Sequence, residues 1–357
     1  MVAAPVNVHE YEPLALAAIT PMAWDYLAGG SGDERTLGWN RERLDATRLW
    51  PRVLRDVSRV DPRLSLLGVD LPFPILLAPT GFQRLFHPEG ELATARGAGA
   101  AGALYTLSTA ATTSIEDIAA VATAPLWFQL YAQRDRGFTL ELVRRAEAAG
   151  CRAIMLTADT PVLGARDRDR RSHLELPPGL ELANLRVLRE RAPDSPTFVH
   201  GAANPFLDPS LTWDVLDWLV AESRVPVVVK GVLRADDART AIAHGAAAVA
   251  VSNHGGRNLD TVPATIDALP GLVDAVAGRV PVLLDGGVRR GVDVVKALAF
   301  GATAVMIGRP YLWGLGVCGA EGVTRVIRML AEELEMAMAQ CGAPTLAALT
   351  RDLVDAR

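Results

Sequence analysis

From residue 72 onward, short apolar runs alternate with polar or glycine-marked turns and then with longer amphipathic stretches. The runs are "FPILLAP" (73–79), "ALYTLS" (103–108), "PLWFQLY" (125–131), "AIMLTAD" (153–159), "PVVVKG" (226–231), "AAVAVSN" (247–253), "PVLLDGG" (281–287) and "AVMIGRP" (304–310). Several are unbroken blocks of Val, Ile and Leu, the pattern of a parallel strand covered on both faces. Helical spacing fills the gaps between them. "GFTLELVRRAEAAG" puts Leu140, Val143 and Ala146 on one face and closes on Gly150, "ADDARTAIAHG" closes on Gly245, and "RGVDVVKALAFG" closes on Gly301. A glycine just past each helix suits a left-handed cap. The last segment repeats Val323, Ile327, Leu330, Leu334 and Met338 on one stripe.

Eight strand–helix units predict an α/β fold of the closed (β/α)₈ TIM-barrel type, because an open doubly wound sheet has more often about five or six strands. The chain reads as one domain over residues 1–357. Residues 1–71 form an N-terminal helical extension with a connecting segment and a glycine-rich break, "LAGGSGDE" (27–34). The barrel occupies 72–342. A loop after strand four, 160–211, carries many charges and several prolines and is too long for an ordinary connection, so it reads as a lid.

Composition narrows the partners. The net charge of −5 argues against nucleic acid, which wants a basic face. Three cysteines, Cys151, Cys318 and Cys341, make no C-x-x-C and fit unpaired thiols in a reducing compartment. The N-terminus lacks a basic region followed by an apolar core, no apolar run is long enough for a bilayer, and "LVDAR" carries no peroxisomal address. A soluble cytoplasmic protein without a membrane partner or a metal is expected.

Chemistry in such a barrel sits at the carboxyl ends of the strands. In order, those ends carry Pro79 and Thr80, Ser108, Gln129 with Tyr131, Thr157 with Asp159, Lys230, Ser252 with His254 and Arg257, Asp285 with Gly286 and Gly287, and Gly308 with Arg309. One polar residue there would be unremarkable, but a ring of them on apolar strands is not explained by packing. "DGGVRRG" (285–291) and "IGRP" (307–310) follow strands seven and eight, where glycines let backbone N–H groups approach a phosphate that Arg289 or Arg309 can bind. Read singly, the glycines are tight turns and the arginines solvated; paired at these positions they favour a phosphate-bearing ligand. A lone histidine is often a satisfied structural residue. Asp159 at another strand end, however, can orient His254 and stabilise its protonated form. Arg257 offers a planar fork matched to a carboxylate, and Lys230 is a cation at a desolvated site. Gly255 and Gly256 let the backbone pass close to a flat or anionic ligand.

These residues, in this order, resemble the FMN-dependent 2-hydroxy-acid oxidases and dehydrogenases, the group of glycolate oxidase, lactate oxidase and mandelate dehydrogenase. The resemblance runs from "WDYLAGGSGDERT" (24–36) to the C-terminal helix, and its most specific element is "SNHGGRNLD". "LAPTGFQRLFHPEGELATARGA", "WFQLY", "LTADTPVLGARDRD", "VVVKGV", "DGGVRRG" and "IGRP" support it. It implies His254 as catalytic base with Asp159 as electrostatic partner, Arg257 and Arg166 on the substrate carboxylate, and Tyr26 and Tyr131 hydrogen-bonded to substrate. It further implies Lys230 near the flavin N1–O2 edge, with Ser108, Gln129, Thr157, Ser252 and the backbone around Pro79, Thr80 and Gly81 at the flavin. Asp285 falls to the ribityl chain, and Gly286, Gly287, Arg289, Gly308 and Arg309 to the phosphate. FMN is the implied cofactor and a homotetramer the implied assembly. The chemistry agrees with the residues: oxidising a 2-hydroxy acid needs a base, a carboxylate clamp and an electron sink that no side chain supplies.

Two positions depart from or refine the pattern. Asn258 stands where the family usually has glutamine. Ala110 occupies a position that is tryptophan in glycolate oxidases and small in lactate oxidases, so the resemblance implies a lactate- or mandelate-like acid, with Leu163 as another wall. Oxygen as acceptor gives an oxidase releasing H2O2; a dehydrogenase with another acceptor and a decarboxylating monooxygenase share the same motifs. Proton abstraction from hydroxyl or from carbon stays open. A flavin-dependent isomerase would need a diphosphate cluster in place of "HGGR", and a flavin-binding barrel without catalysis would not need the base and clamp.

Overall fold

The computed structural model describes residues 5–187 and 207–355. Three helices open the chain: α1 (Tyr11–Ala18), α2 (Pro21–Ala28) and α3 (Arg35–Ala46). The glycine-rich break falls between α2 and α3. The connecting segment then ends in an antiparallel hairpin, β1 (Leu64–Leu66) and β2 (Val69–Leu71), which the sequence pattern did not reveal. Three-residue strands are too short to show a period.

The barrel follows in the expected alternation. Its strands are β3 (Ile75–Leu77), β4 (Tyr105–Ser108), β5 (Leu126–Leu130), β6 (Ile154–Thr157), β7 (Val227–Val232), β8 (Ala248–Val251), β9 (Val282–Asp285) and β10 (Ala304–Ile307). All pair in parallel, and β10 closes on β3. Helices α4 (Gly90–Ala101), α5 (Ile115–Val121), α6 (Arg136–Ala148), α7 (Asp167–Arg171), α8 (Asp214–Glu222), α9 (Ala235–Ala243), α10 (Thr265–Val276), α11 (Gly291–Ala299) and α12 (Arg309–Gln340) are the α-helices that follow among the described residues. Gly150, Gly245 and Gly301 all take positive φ just past their helices, as the caps require. The apolar stripe of α12 is buried, and a kink at Cys318–Gly319 divides that helix.

Each strand serves two cores by its period of two. Ile75, Leu77, Phe128, Ile154, Val229 and Val249 face the surrounding helices. Leu76, Trp127, Met155, Val228, Ala250, Leu283 and Met306 fill the barrel interior, and Leu66, Val69 and Leu71 of the hairpin join that inner cluster as its floor. The filled interior leaves the opposite, carboxyl end for a site.

Helix α3 ties the extension to that end. Asn40 and Asn253, after β8, exchange amide hydrogen bonds at 2.9 and 2.8 Å. Arg41 donates to the Gly287 carbonyl and to Asp293 of α11, both at 2.6 Å. The Asp293 side chain is 1% exposed and also accepts the backbone N–H groups of Arg289 and Arg290. Removing Arg41 strips the buried Asp293 of its two-pronged partner and leaves it, among the described residues, only the charge of Lys296, 4.0 Å away, whereas an exposed pair contributes little. Arg41→Ala is therefore expected to lower stability by roughly 3 kcal/mol. Arg43→Ala, which breaks the exposed pair with Asp267, should change it by less than about 1 kcal/mol. Urea denaturation of the two variants measures the difference; equal losses would contradict this role for Arg41.

Candidate active site

The inward parity of each strand can be followed past its end. It leads from Leu76 through Ala78 to Thr80, from Leu104 to Ser108, and from Trp127 to Gln129 and Tyr131. It leads likewise from Met155 to Thr157 and Asp159, from Val228 to Lys230, from Ala250 to Ser252 and His254, from Leu283 to Asp285, and from Met306 to Gly308. The polar ring is thus the continuation of the barrel's own interior, which is why apolar strands end in chemistry.

These ends open on one pocket of about 1430 Å³, counting its mouth. Thr80, Ser108, Gln129, Tyr131, Thr157, Lys230, His254, Asp285 and Gly308 line it, joined by Pro79, Gly81, Ala110, Arg257, Gly286, Gly287 and Arg289 from the loops that follow the strands and by Arg309 at the start of α12. Tyr26 reaches it from α2, and Leu163 and Arg166 from the base of the long loop. Two of the expected residues stand one layer back. Asp159 lies behind His254, and Ser252 accepts the His254 backbone N–H at 3.1 Å.

His254 holds a left-handed backbone, φ 56°, which costs a non-glycine residue about 1–3 kcal/mol and persists where its surroundings fix it. Its Nδ1 lies 2.9 Å from Asp159 Oδ1, and its Nε2 lies 3.4 Å from the Tyr131 hydroxyl. Burial pushes the His254 pKa down; Asp159 opposes this, Lys230 and Arg166 reinforce it, and the result lies below the ordinary 6.5. Burial alone would raise the Asp159 carboxyl, but the charges of His254 and Lys230 and hydrogen bonds from His254 and Thr160 hold it at about 2. Burial raises the Tyr131 hydroxyl to about 12 and the Tyr26 hydroxyl above 10.0. At neutral pH the pocket therefore holds a neutral imidazole, an ionised carboxylate and two protonated phenols.

Positive charge is in excess. Arg166, Lys230, Arg257, Arg289 and Arg309 line the pocket; Asp285 and Asp159 are the carboxylates beside Lys230, and Asp169 lies 3.9 Å from Arg166. Burial first, then repulsion from Arg257, depresses Arg166 to about 10. Burial likewise brings Arg289 to about 10, and burial with repulsion from Arg257 and Arg289 takes Arg309 well below its usual range. Lys230 stays protonated: burial would lower it, but Asp285, with Oδ2 at 3.6 Å, and Asp159 raise it. The buried Nη2 of Arg257 and Oδ1 of Asp285 make no hydrogen bond among the described residues.

Several residues carry more than the sequence disclosed. Arg309 donates to the carbonyls of Leu27, Gly29 and Gly255, and Arg257 to those of Tyr26 and Gly29, so both also clamp the end of α2 over the mouth. Arg289 lies over the Trp313 ring, 4.7 Å from its centroid. Gly255 lines the pocket, but Gly256 does not: a Cβ there would stand 2.8 Å from the Leu37 backbone nitrogen, so this glycine admits α3 rather than a ligand. Leu182, Leu185 and Leu207 bring an apolar wall from the long loop, which its charged sequence concealed. Residues 188–206 of that loop, and with them part of the expected lid, lie outside the described residues. Thr160 and the contacts of Asn258 were also not anticipated, since both depend on a meeting of distant loops.

A family profile described as FMN-dependent dehydrogenase matches residues 15–356. An L-lactate oxidase of Nostoc sp. is 51% identical over 354 residues, covering 97% of this chain and 96% of that protein. The glycolate oxidase of Spinacia oleracea is 46% identical, covering 98% and 95%. A crystal structure of mandelate oxidase with (S)-4-hydroxymandelic acid aligns with a TM-score of 0.92 at 42% identity, covering 98% of both chains. Gly287, with φ 85°, lines the pocket but backs onto α3: a Cβ would stand 2.3 Å from the Asn40 carbonyl oxygen, so any side chain forces this turn to shift. Gly287→Ala is expected to weaken FMN binding at least tenfold, or about 1.4 kcal/mol. Fluorescence titration of the apoprotein measures it, and unchanged affinity would contradict a cradle at this turn.

Proposed function

The chain belongs to the FMN-dependent 2-hydroxy-acid oxidase family and is an FMN enzyme; on that premise we propose that it oxidises an L-2-hydroxy acid larger than glycolate, lactate- or mandelate-like, to the 2-oxo acid, with O2 as acceptor and H2O2 as product. The carrying observation is a surplus of pocket cations facing a neutral histidine backed by an ionised aspartate. Such a site takes two anionic groups, a phosphate and a carboxylate, and removes a proton between them.

The residues present fit FMN. Gly286, Gly287 and Gly308 with Arg289 and Arg309 suit its phosphate, and the unpaired oxygen of Asp285 suits a ribityl hydroxyl. Ser108, Gln129, Thr157 and the backbone of Pro79–Gly81 suit the ring, with the Lys230 cation favouring negative charge beside it. Bound FMN supplies the two-electron sink that side chains lack.

The chain's own groups do the remainder. Arg257, through its unpaired Nη2, and Arg166 hold the substrate carboxylate. Tyr26 and Tyr131, kept protonated by burial, donate hydrogen bonds to substrate oxygens. His254 Nε2 takes the proton that leaves the substrate, and Asp159 then stabilises the imidazolium. Ala110 leaves room at the substrate's side chain, and Leu163, Leu182, Leu185 and Leu207 surround that room with apolar surface. The reading extends to a cytoplasmic homotetramer, supported by the family resemblance and by three free cysteines.

His254→Ala is expected to slow anaerobic FMN reduction by about 10²–10⁴-fold without loss of FMN. Because the His254 pKa is lowered, the base is ready at neutral pH and is lost only in acid. In the wild type the reduction rate should rise through a midpoint below 6.5 and then level off. A midpoint above 6.5, or unchanged reduction in the variant, would contradict His254 as the base. For the acceptor, H2O2 is expected to form in equal amount to the 2-oxo acid; its absence during turnover would transfer the reaction to a dehydrogenase or a monooxygenase.

A further inference from the structure

We propose that Thr160, held by Asn258, is a positioning residue that orients the Asp159 carboxylate behind His254 and shares its charge. The inference rests on His254 acting as base and follows from the direction of each hydrogen bond. The backbone carbonyl of Asp159 can only accept, so the Asn258 atom 2.7 Å from it is the amide nitrogen. That same nitrogen lies 2.7 Å from Thr160 Oγ1, which must therefore accept its second hydrogen. The Thr160 hydroxyl has one proton left and two neighbours: Asp159 Oδ1 at 3.1 Å and His254 Nδ1 at 3.3 Å.

Asp159 decides between them. As an ionised carboxylate it can only accept, so the 2.9 Å contact with His254 requires the hydrogen to sit on Nδ1. A protonated Nδ1 cannot accept from Thr160, and the hydroxyl turns to Asp159 Oδ1. The chain of donors is then complete: Asn258 to Thr160, Thr160 to Asp159, and His254 to Asp159. Asp159 Oδ2 and Asn258 Oδ1 are buried without a hydrogen-bond partner among the described residues. All the order in this cluster is concentrated on Oδ1 and on the donor end of the amide. Thr160 itself is 7% exposed, so water has little access to replace it.

The charged and titratable groups acting on His254 are Asp159 after β6, Lys230 on β7 and Arg166 from the long loop, with Tyr131 after β5 at hydrogen-bond range. Thr160→Val keeps the shape and removes the hydroxyl. With one donor fewer, Asp159 Oδ1 becomes a stronger partner for the imidazolium, and the carboxylate loses the hydrogen bond that aligns it with the ring. The limiting rate of FMN reduction is expected to fall about tenfold, while the substrate dissociation constant changes less than about twofold. The acid limb of the rate profile should move to higher pH.

Thr160→Ser, which keeps the hydroxyl, should stay within about twofold of wild type. Should Thr160→Val fail to hold FMN, Asn258→Leu removes the same alignment from the other end and enters the same assay. An activity-free readout comes from ¹⁵N-histidine NMR of the holoenzyme, with the His254 signal assigned by its loss in His254→Gln. Both proteins should show Nδ1 protonated and Nε2 bare at pH 8, and the imidazolium signal should appear at higher pH in Thr160→Val than in wild type. Wild-type rates with an unmoved acid transition in Thr160→Val would overturn the proposal, as would a Thr160→Ser variant that behaves like Thr160→Val. If no 2-hydroxy acid reduces the flavin, the functional reading falls, and the NMR result still decides the role of Thr160.

Discussion

The arrangement depends on positive charge gathered at a desolvated mouth with too little negative charge to balance it. Arg166, Arg289 and Arg309 are all pulled below the ordinary arginine range, first by burial and, for Arg166 and Arg309, then by other arginines. A protein tolerates such a surplus only where anions arrive to relieve it or where backbone carbonyls share the load. Backbone carbonyls do so here, and FMN brings an anionic phosphate. Arg309 and Arg257 are satisfied in part by carbonyls at the end of α2, which fastens the N-terminal extension over the pocket, while Arg257 keeps one buried nitrogen in reserve. The charge gathered at the mouth therefore also closes the fold.

His254 is set within this field rather than apart from it. Neighbouring cations favour its neutral form, and the adjacent Asp159 favours the charged form it reaches after taking a proton. A base needs both influences: one keeps it free at neutral pH, the other stabilises it once loaded. Asp159 remains ionised throughout the working range because the charges of His254 and Lys230, with hydrogen bonds from His254 and Thr160, hold its carboxyl at about 2.

Much of this was legible from residues alone. The eight apolar runs became eight strands, and the residues named at their ends converge because the period of two carries the interior parity outward, as from Trp127 to Gln129 or from Leu283 to Asp285. What escaped was set by contacts between distant segments. Gly256 reads as a ligand approach until α3 is seen against it, and the hairpin at Leu64–Leu71 is too short for any pattern. Three leucines supply an apolar wall from a loop whose composition is dominated by charge. Asn258 looked like a shortened glutamine; its amide in fact spans the Asp159 carbonyl and Thr160. No single stretch of sequence contains that arrangement.

The most direct measurement is the visible spectrum of the purified holoenzyme under anaerobic conditions, before and after L-lactate and then L-mandelate. The account requires a flavin spectrum that bleaches with at least one of these acids in the absence of any other reductant. A bound flavin that stays oxidised with both would contradict it, leaving the barrel and its charged mouth in place for a different reaction.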